Sequence, residues 1–317
     1  MGVIFPIDKA YIVGDWLASF FWGVFTVLFL ICVVTSLRNI RQRWFSLGTV
    51  TVMYCLATSH IAIALTRLIQ AFVVHVHDSD EGAILYLANI AIDINRSKDM
   101  IYITAIWLGD SILVWRCFVV WNRDWRVIAL PCIMVIATAV SGYGAVGMYF
   151  DPNLNPIVAT NWASGMLAVS MVTNFILTIL TAGRLWFLSR KIDFDAQMEP
   201  TSYLPHRIVV LAILEAGLLV TIAKFLEFLF FELAPINGLT GNNALYVMME
   251  CMPQLMGIAP TLIILAVNLG FTSSGPEAYS VMGSTWNSQA ATQFIQDLEK
   301  RPGTAQTSGA SSDISSK

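Results

Sequence analysis

The chain has 317 residues, of which 56% are hydrophobic and only 12% charged, and its formal net charge is −3. Soluble domains carry charge on about a quarter of their residues, so this balance excludes an ordinary soluble enzyme and points to a polytopic membrane protein. The small net charge gives no basis for a nucleic-acid partner.

A helix crosses a hydrocarbon core of about 30 Å with about 20 apolar residues, and seven such runs follow one another along the chain. The opening "MGVIFPIDKA" lacks the basic segment of a cleaved leader, and Pro6 stands where a myristoylation signal needs Ser or Thr. The first run, 16–37, is therefore expected to stay as a span. A connection with Arg38, Arg41 and Arg43 leads to the second, 46–70, which places His60 near mid-depth and Arg67 towards its far end. "HVHDSDE" (75–81) then offers potential metal ligands, but metal sites usually draw on several elements, so a solvated acidic loop is the expectation and no metal is assigned. "EGAILYLANIAIDIN" (81–95) is too short to span and reads as an extension of the third helix, an interfacial helix or a flap over the mouth of the bundle. It ends at a glycosylation triplet, "NRS", on Asn95.

The third run, 100–121, carries Asp110 about 15 Å along it. An ionised carboxylate there costs roughly 2.5 to 3.5 kcal/mol, so Asp110 is expected to face the bundle interior, find a partner or stay protonated. Arg116 is close enough to the end of the run to snorkel to the headgroups beside Arg123 and Arg126. The fourth run, 127–150, has no charge. The fifth, 162–188, holds Asn174 and leads to Arg190 and Lys191. The sixth, 208–233, follows Arg207 and contains Glu215, Lys224 and Glu227. Lys224 and Glu227 lie at i and i+3 on one face and can pair directly. The seventh, 244–271, has Glu250 near its start, and Pro253 and Pro260 are expected to kink it. The remainder, 272–317, turns rich in Ser, Thr, Gly and Gln, as disordered tails do. Within it, residues 285–300 space Trp286, Ala290, Phe294 and Leu298 as one face of a short amphipathic helix.

These runs predict an all-α bundle of seven transmembrane helices, because a closed barrel needs short alternating segments. Arginine and lysine concentrate on alternate connections. The predicted cytosolic basic face comprises Arg38, Arg41, Arg43, Arg116, Arg123 and Arg126, then Arg190, Lys191 and Arg207. That places the amino terminus outside and the carboxyl tail in the cytosol, in the plasma membrane or an endomembrane. The five cysteines all fall in apolar runs, so no disulfide framework is expected.

Several seven-helix chemistries are missing their required residues. A retinal protein needs a lysine in the last span, which has none, and the Pro-Gln of "MPQL" (252–255) has no second copy as a paired carrier would require. The last four spans contain no histidine for zinc hydrolysis or intramembrane serine proteolysis. The third span ends "WNRDW" and the seventh "LAVNLGF", so the local signatures of rhodopsin-like receptors are absent.

The stretch 108–147 resembles the third and fourth helices of a large set of seven-span, receptor-like proteins from mushroom-forming fungi. The resemblance rests on Asp110, Arg116, Cys117, Trp121 and Pro131. It implies an integral-membrane architecture and little mechanism.

The leading expectation is a receptor or sensor. A small ligand would meet Asp110, Lys224, Glu227, Glu250, Arg67, His60 and Asn174 in an outer-half cavity, and a signalling partner would read the cytosolic face. The alternative is a membrane-embedded enzyme on a lipophilic substrate, resembling an isoprenoid cyclase, with Asp110 or Glu250 as general acid and tryptophans as aromatic walls. Transport ranks third, and no cofactor is assigned. The Lys224–Glu227 pair suits a structural role equally well, and His60 reads more readily as a hydrogen-bonded core histidine than as a ligand contact.

Overall fold

The computed structural model describes residues 5–37, 40–75, 82–151, 155–195, 204–234 and 241–272. The amphipathic stripe of 285–300 and most of "HVHDSDE" lie outside them. The described chain is helical: α1 (Ile7–Leu37), α2 (Ile40–Ile69), α3 (Gly82–Ala88), α4 (Asp93–Val120), α5 (Trp125–Gly147), α6 (Pro156–Asp195), α7 (Leu204–Leu233) and α8 (Ala244–Thr272). Among the described residues, six helices are long and apolar enough to cross a membrane. The protein is a multi-pass helical membrane protein.

The helices run past the apolar runs that predict them, because helical backbone continues beyond the hydrocarbon. α1 starts at Ile7 rather than 16, α4 at Asp93 rather than 100, and α2 continues through a π-helical turn at Gln70–Val74. The short segment 81–95 is divided: Asp93–Asn95 begin α4, while the part before them stands apart from it. That part forms the separate helix α3, which buries Ala83 and Leu87 against α1 and the π-turn, as a flap does.

α1, α2, α4, α5, α6, α7 and α8 form a closed ring of neighbours, with α4 and α8 also meeting across its middle. α8 is the axis, with 78% of its most apolar window buried against 17% for α1, which turns most of its surface outward. α8 runs through Pro253 and Pro260 as one continuous helix. Lipid tails are as apolar as leucine, so close approach of small residues does much of the work of helix association. Ala10, Gly14 and Ala18 form such a stripe on α1, and a Cβ on Gly14 would lie 3.2 Å from Glu250 Cγ. At Gly257 of α8, the ring of Phe25 occupies the space a side chain would need. The rest of the axis is filled by Met53, Met252, Met256 and Ile264, the methionines adapting to irregular gaps.

The two ends of the bundle are closed differently. At the α3 end, Phe5 forms an isolated bridge with Asn242, and its carbonyl accepts from Asn243. At the other end, α4 passes to α5 through Asn122 and Arg123, both in the left-handed region (φ 55° and 63°), after which the Asp124 side chain caps α5 by accepting from the Arg126 amide. All five cysteines are free.

Candidate functional site

Charged side chains gather inside the bundle towards the α3 end, and the first group surrounds Asp110, which is fully buried. Its carboxylate accepts from Lys224 Nζ of α7 (2.5 Å), Asn174 Nδ2 (2.7 Å) and Ser170 Oγ (2.7 Å), the last two from α6. One acid thus ties α4 to α6 and α7. Lys224 does not turn along its own helix to Glu227, as the i, i+3 spacing suggests. It reaches across to Asp110, where a cation at the same depth compensates the buried charge. Glu227 instead accepts from the Tyr102 hydroxyl of α4.

The second group lies nearer the α3 end. Lys98 of α4 forms a buried ion pair with Glu250 of α8, and His60 Nε2 of α2 is 3.9 Å from the other Glu250 oxygen. Arg67, 1% exposed, donates to the Tyr11 hydroxyl (2.8 Å) and to the Leu87 carbonyl of α3 (2.7 Å). Asp15, on the α1 face that meets Glu250, is 6% exposed. Asp99 accepts from Asn95. Asn95 is itself 3% exposed and held to the Ile90 carbonyl, so the acceptor side chain of the glycosylation triplet is enclosed in this fold.

Asp110, Lys224, Glu227, Glu250, Arg67, His60 and Asn174 are therefore brought into two adjacent groups, all deeply buried. Lys98, Asp15, Tyr11, Tyr102 and Ser170 join them without having been singled out by sequence. Lys98 had the look of a loop cation because the apolar run begins two residues later. Asp15 immediately precedes the first apolar run, and the small-residue stripe around Gly14 was the signal that its face is buried.

Of the basic residues, Arg123 and Arg126 are exposed at the turn before α5. Arg116 does not extend to the headgroups: its Nη2 donates to the Pro260 carbonyl of α8 at 2.9 Å, anchoring α4 to the axis. Arg41 and Arg43 lie near the start of α2, Arg190 and Lys191 near the end of α6, and Arg207 near the start of α7, while Arg38 is outside the described residues. Glu215 is exposed.

Two apolar grooves of about 400 Å³ open on the bundle surface. One lies against α1 and α8, lined by Phe5, Val13 and Met248, and the other lies between α2 and α4, lined by Trp44, Phe45 and Trp115. Neither is lined by a charged residue. Among the described residues no group of His, Cys, Asp and Glu is arranged to hold a metal ion. No protein-family model, curated protein or solved structure matches the chain.

Proposed function

We propose that the chain is a seven-span membrane receptor or sensor, with α3 on the outside and the Asn122 turn in the cytosol, in which the buried charge groups respond to a small ligand. α7, 30 residues long and packed between α6 and α8, serves as the sixth span in chain order and brings the number of spans to seven. The alternating arginine and lysine content of the connections supports the orientation. The observation that carries the reading is the Lys224–Asp110 ion pair. Opening a buried pair without replacing either partner costs several kcal/mol, so the pair makes or breaks as a unit and gives α4, α6 and α7 two discrete arrangements. A ligand that supplies its own charge to one partner biases that choice, as a two-state receptor requires. Asp110 is surrounded by donors, a setting that suits a charge-balancing carboxylate better than the proton donor of a cyclase.

The test uses protein in nanodiscs with spin labels at Leu85 of α3 and Asn122 of the opposite turn, exposed to fractionated small-molecule extracts. The expected result is a label-distance change with one fraction in wild type and none in a folded Asp110→Asn protein. A new lipid product made by the wild type in a heterologous host, and lost in that variant, would overturn the reading in favour of an enzyme.

A further inference from the structure

The carboxyls inside the bundle divide into two kinds. Glu250 and Asp110 each have a lysine within ion-pair distance. Asp15, Asp99 and Glu227 have none among the described residues, although they are 6%, 9% and 1% exposed, and of the first two only Asp99 is given a hydrogen bond by a side-chain amide, that of Asn95. One Asp15 oxygen, Oδ1, is buried without a hydrogen-bond partner, and Glu227 is met by a neutral phenol. An unpaired carboxylate in a low-dielectric interior is costly, and a carboxylic acid there is not.

The surroundings of each leave no spare positive charge. Asp15 is faced by Arg67 of α2, Lys98 of α4, and Glu250 and Cys251 of α8, and Asp99 of α4 shares the same Lys98, Arg67 and Glu250. Lys98 is taken by Glu250, and Arg67 is bound by neutral oxygens of Tyr11 and Leu87. Among the described residues, Asp15, Asp99 and Glu250 stand against Arg67 and Lys98, so this group has one acid in excess. Glu227 is faced by Tyr102 and Asp110 of α4, Cys251 of α8 and Lys224 of its own helix. Lys224 is committed to Asp110, so the second group also has one acid in excess.

We propose that Asp15 and Glu227 are proton-binding sites, each holding one proton as a neutral carboxylic acid, with the Asp15 proton exchanging with water at the α3 end. The transfer is the simple equilibrium between the Asp15 acid and its carboxylate plus a proton released to water. Glu250, whose Oε2 is buried without a hydrogen-bond partner, is the carboxylate that faces Asp15. Loss of the Asp15 proton sets a second negative charge beside Glu250, where Gly14 brings α1 against α8, and so loosens α1. This inference rests on the charge inventory and stands whether or not the receptor reading holds.

Infrared spectroscopy of the full-length protein in nanodiscs tests it, because a neutral buried carboxyl has a carbonyl band separate from those of carboxylates and amides. The expected wild-type spectrum at neutral pH contains two such bands. Asp15→Asn removes one and Glu227→Gln the other, and deuterated water shifts the Asp15 band first. Alkaline titration should bleach the Asp15 band and lower the thermal midpoint of the wild type but not of Asp15→Asn. A wild-type spectrum without neutral-carboxyl absorption overturns the proposal without relying on any variant. Bands that survive in both folded variants overturn it equally.

Discussion

From mid-bundle towards the α3 end, α4, α6, α7 and α8 meet through Lys98, Glu250, Asp110, Lys224 and the Ser170 and Asn174 side chains. Towards the Asn122 turn, α4, α5 and α6 meet through the apolar cluster of Val114, Cys117, Val135 and Leu177. In a bilayer the apolar contacts compete with equally apolar lipid tails, so they hold by shape and tolerate small adjustments. The charged contacts have no such substitute, since lipid offers neither a counter-ion nor a hydrogen bond. One half of the interior is therefore graded in its response to change and the other close to all-or-none.

The largest effect should come from Lys224→Met, which leaves Asp110 buried without its cation and should cost about 3 to 5 kcal/mol. Thermal unfolding in nanodiscs should show the loss, and the double variant Asp110→Asn/Lys224→Met should recover most of it. A double variant as unstable as the single would break the contrast, because the damage would then lie in packing. Gly257→Ala tests packing directly. Its new Cβ would run into the Phe25 ring, and overpacking of this kind costs about 1 to 3 kcal/mol. Phe25→Leu should relieve it, whereas neutralising Asp110 should not. The smallest effect is expected at the polar turn: Asp124→Ala removes the cap on α5 and should cost about 1 kcal/mol, measurable as faster amide exchange in the first turn of α5.

Much of the architecture was legible because long apolar runs permit few alternatives to membrane helices, and the separate position of α3 was among the readings its length allowed. The depth of Asp110, Lys224, Glu227 and Glu250 was legible for the same reason. Their partners were not. Pairing across helices depends on how each helix is rotated and where it begins, and local spacing favoured Lys224 with Glu227 over the cross-bundle partner it has. An apolar run also marks the hydrocarbon rather than the helix, so Lys98 and Asp15, just beyond the runs of α4 and α1, looked like solvent-facing charges. Arg116 shows the converse: proximity to a membrane edge suggested snorkelling, but the nearby Pro260 carbonyl of α8 receives its hydrogen bond.

Arg67 and α3 share one hydrogen bond, from the guanidinium to the Leu87 carbonyl. Displacing α3 would break that bond as well as the apolar contacts of Ala83 and Leu87, and a hydrogen bond from a charged donor is worth about 1.5 to 3 kcal/mol. The short helix is latched by charge as well as seated by shape.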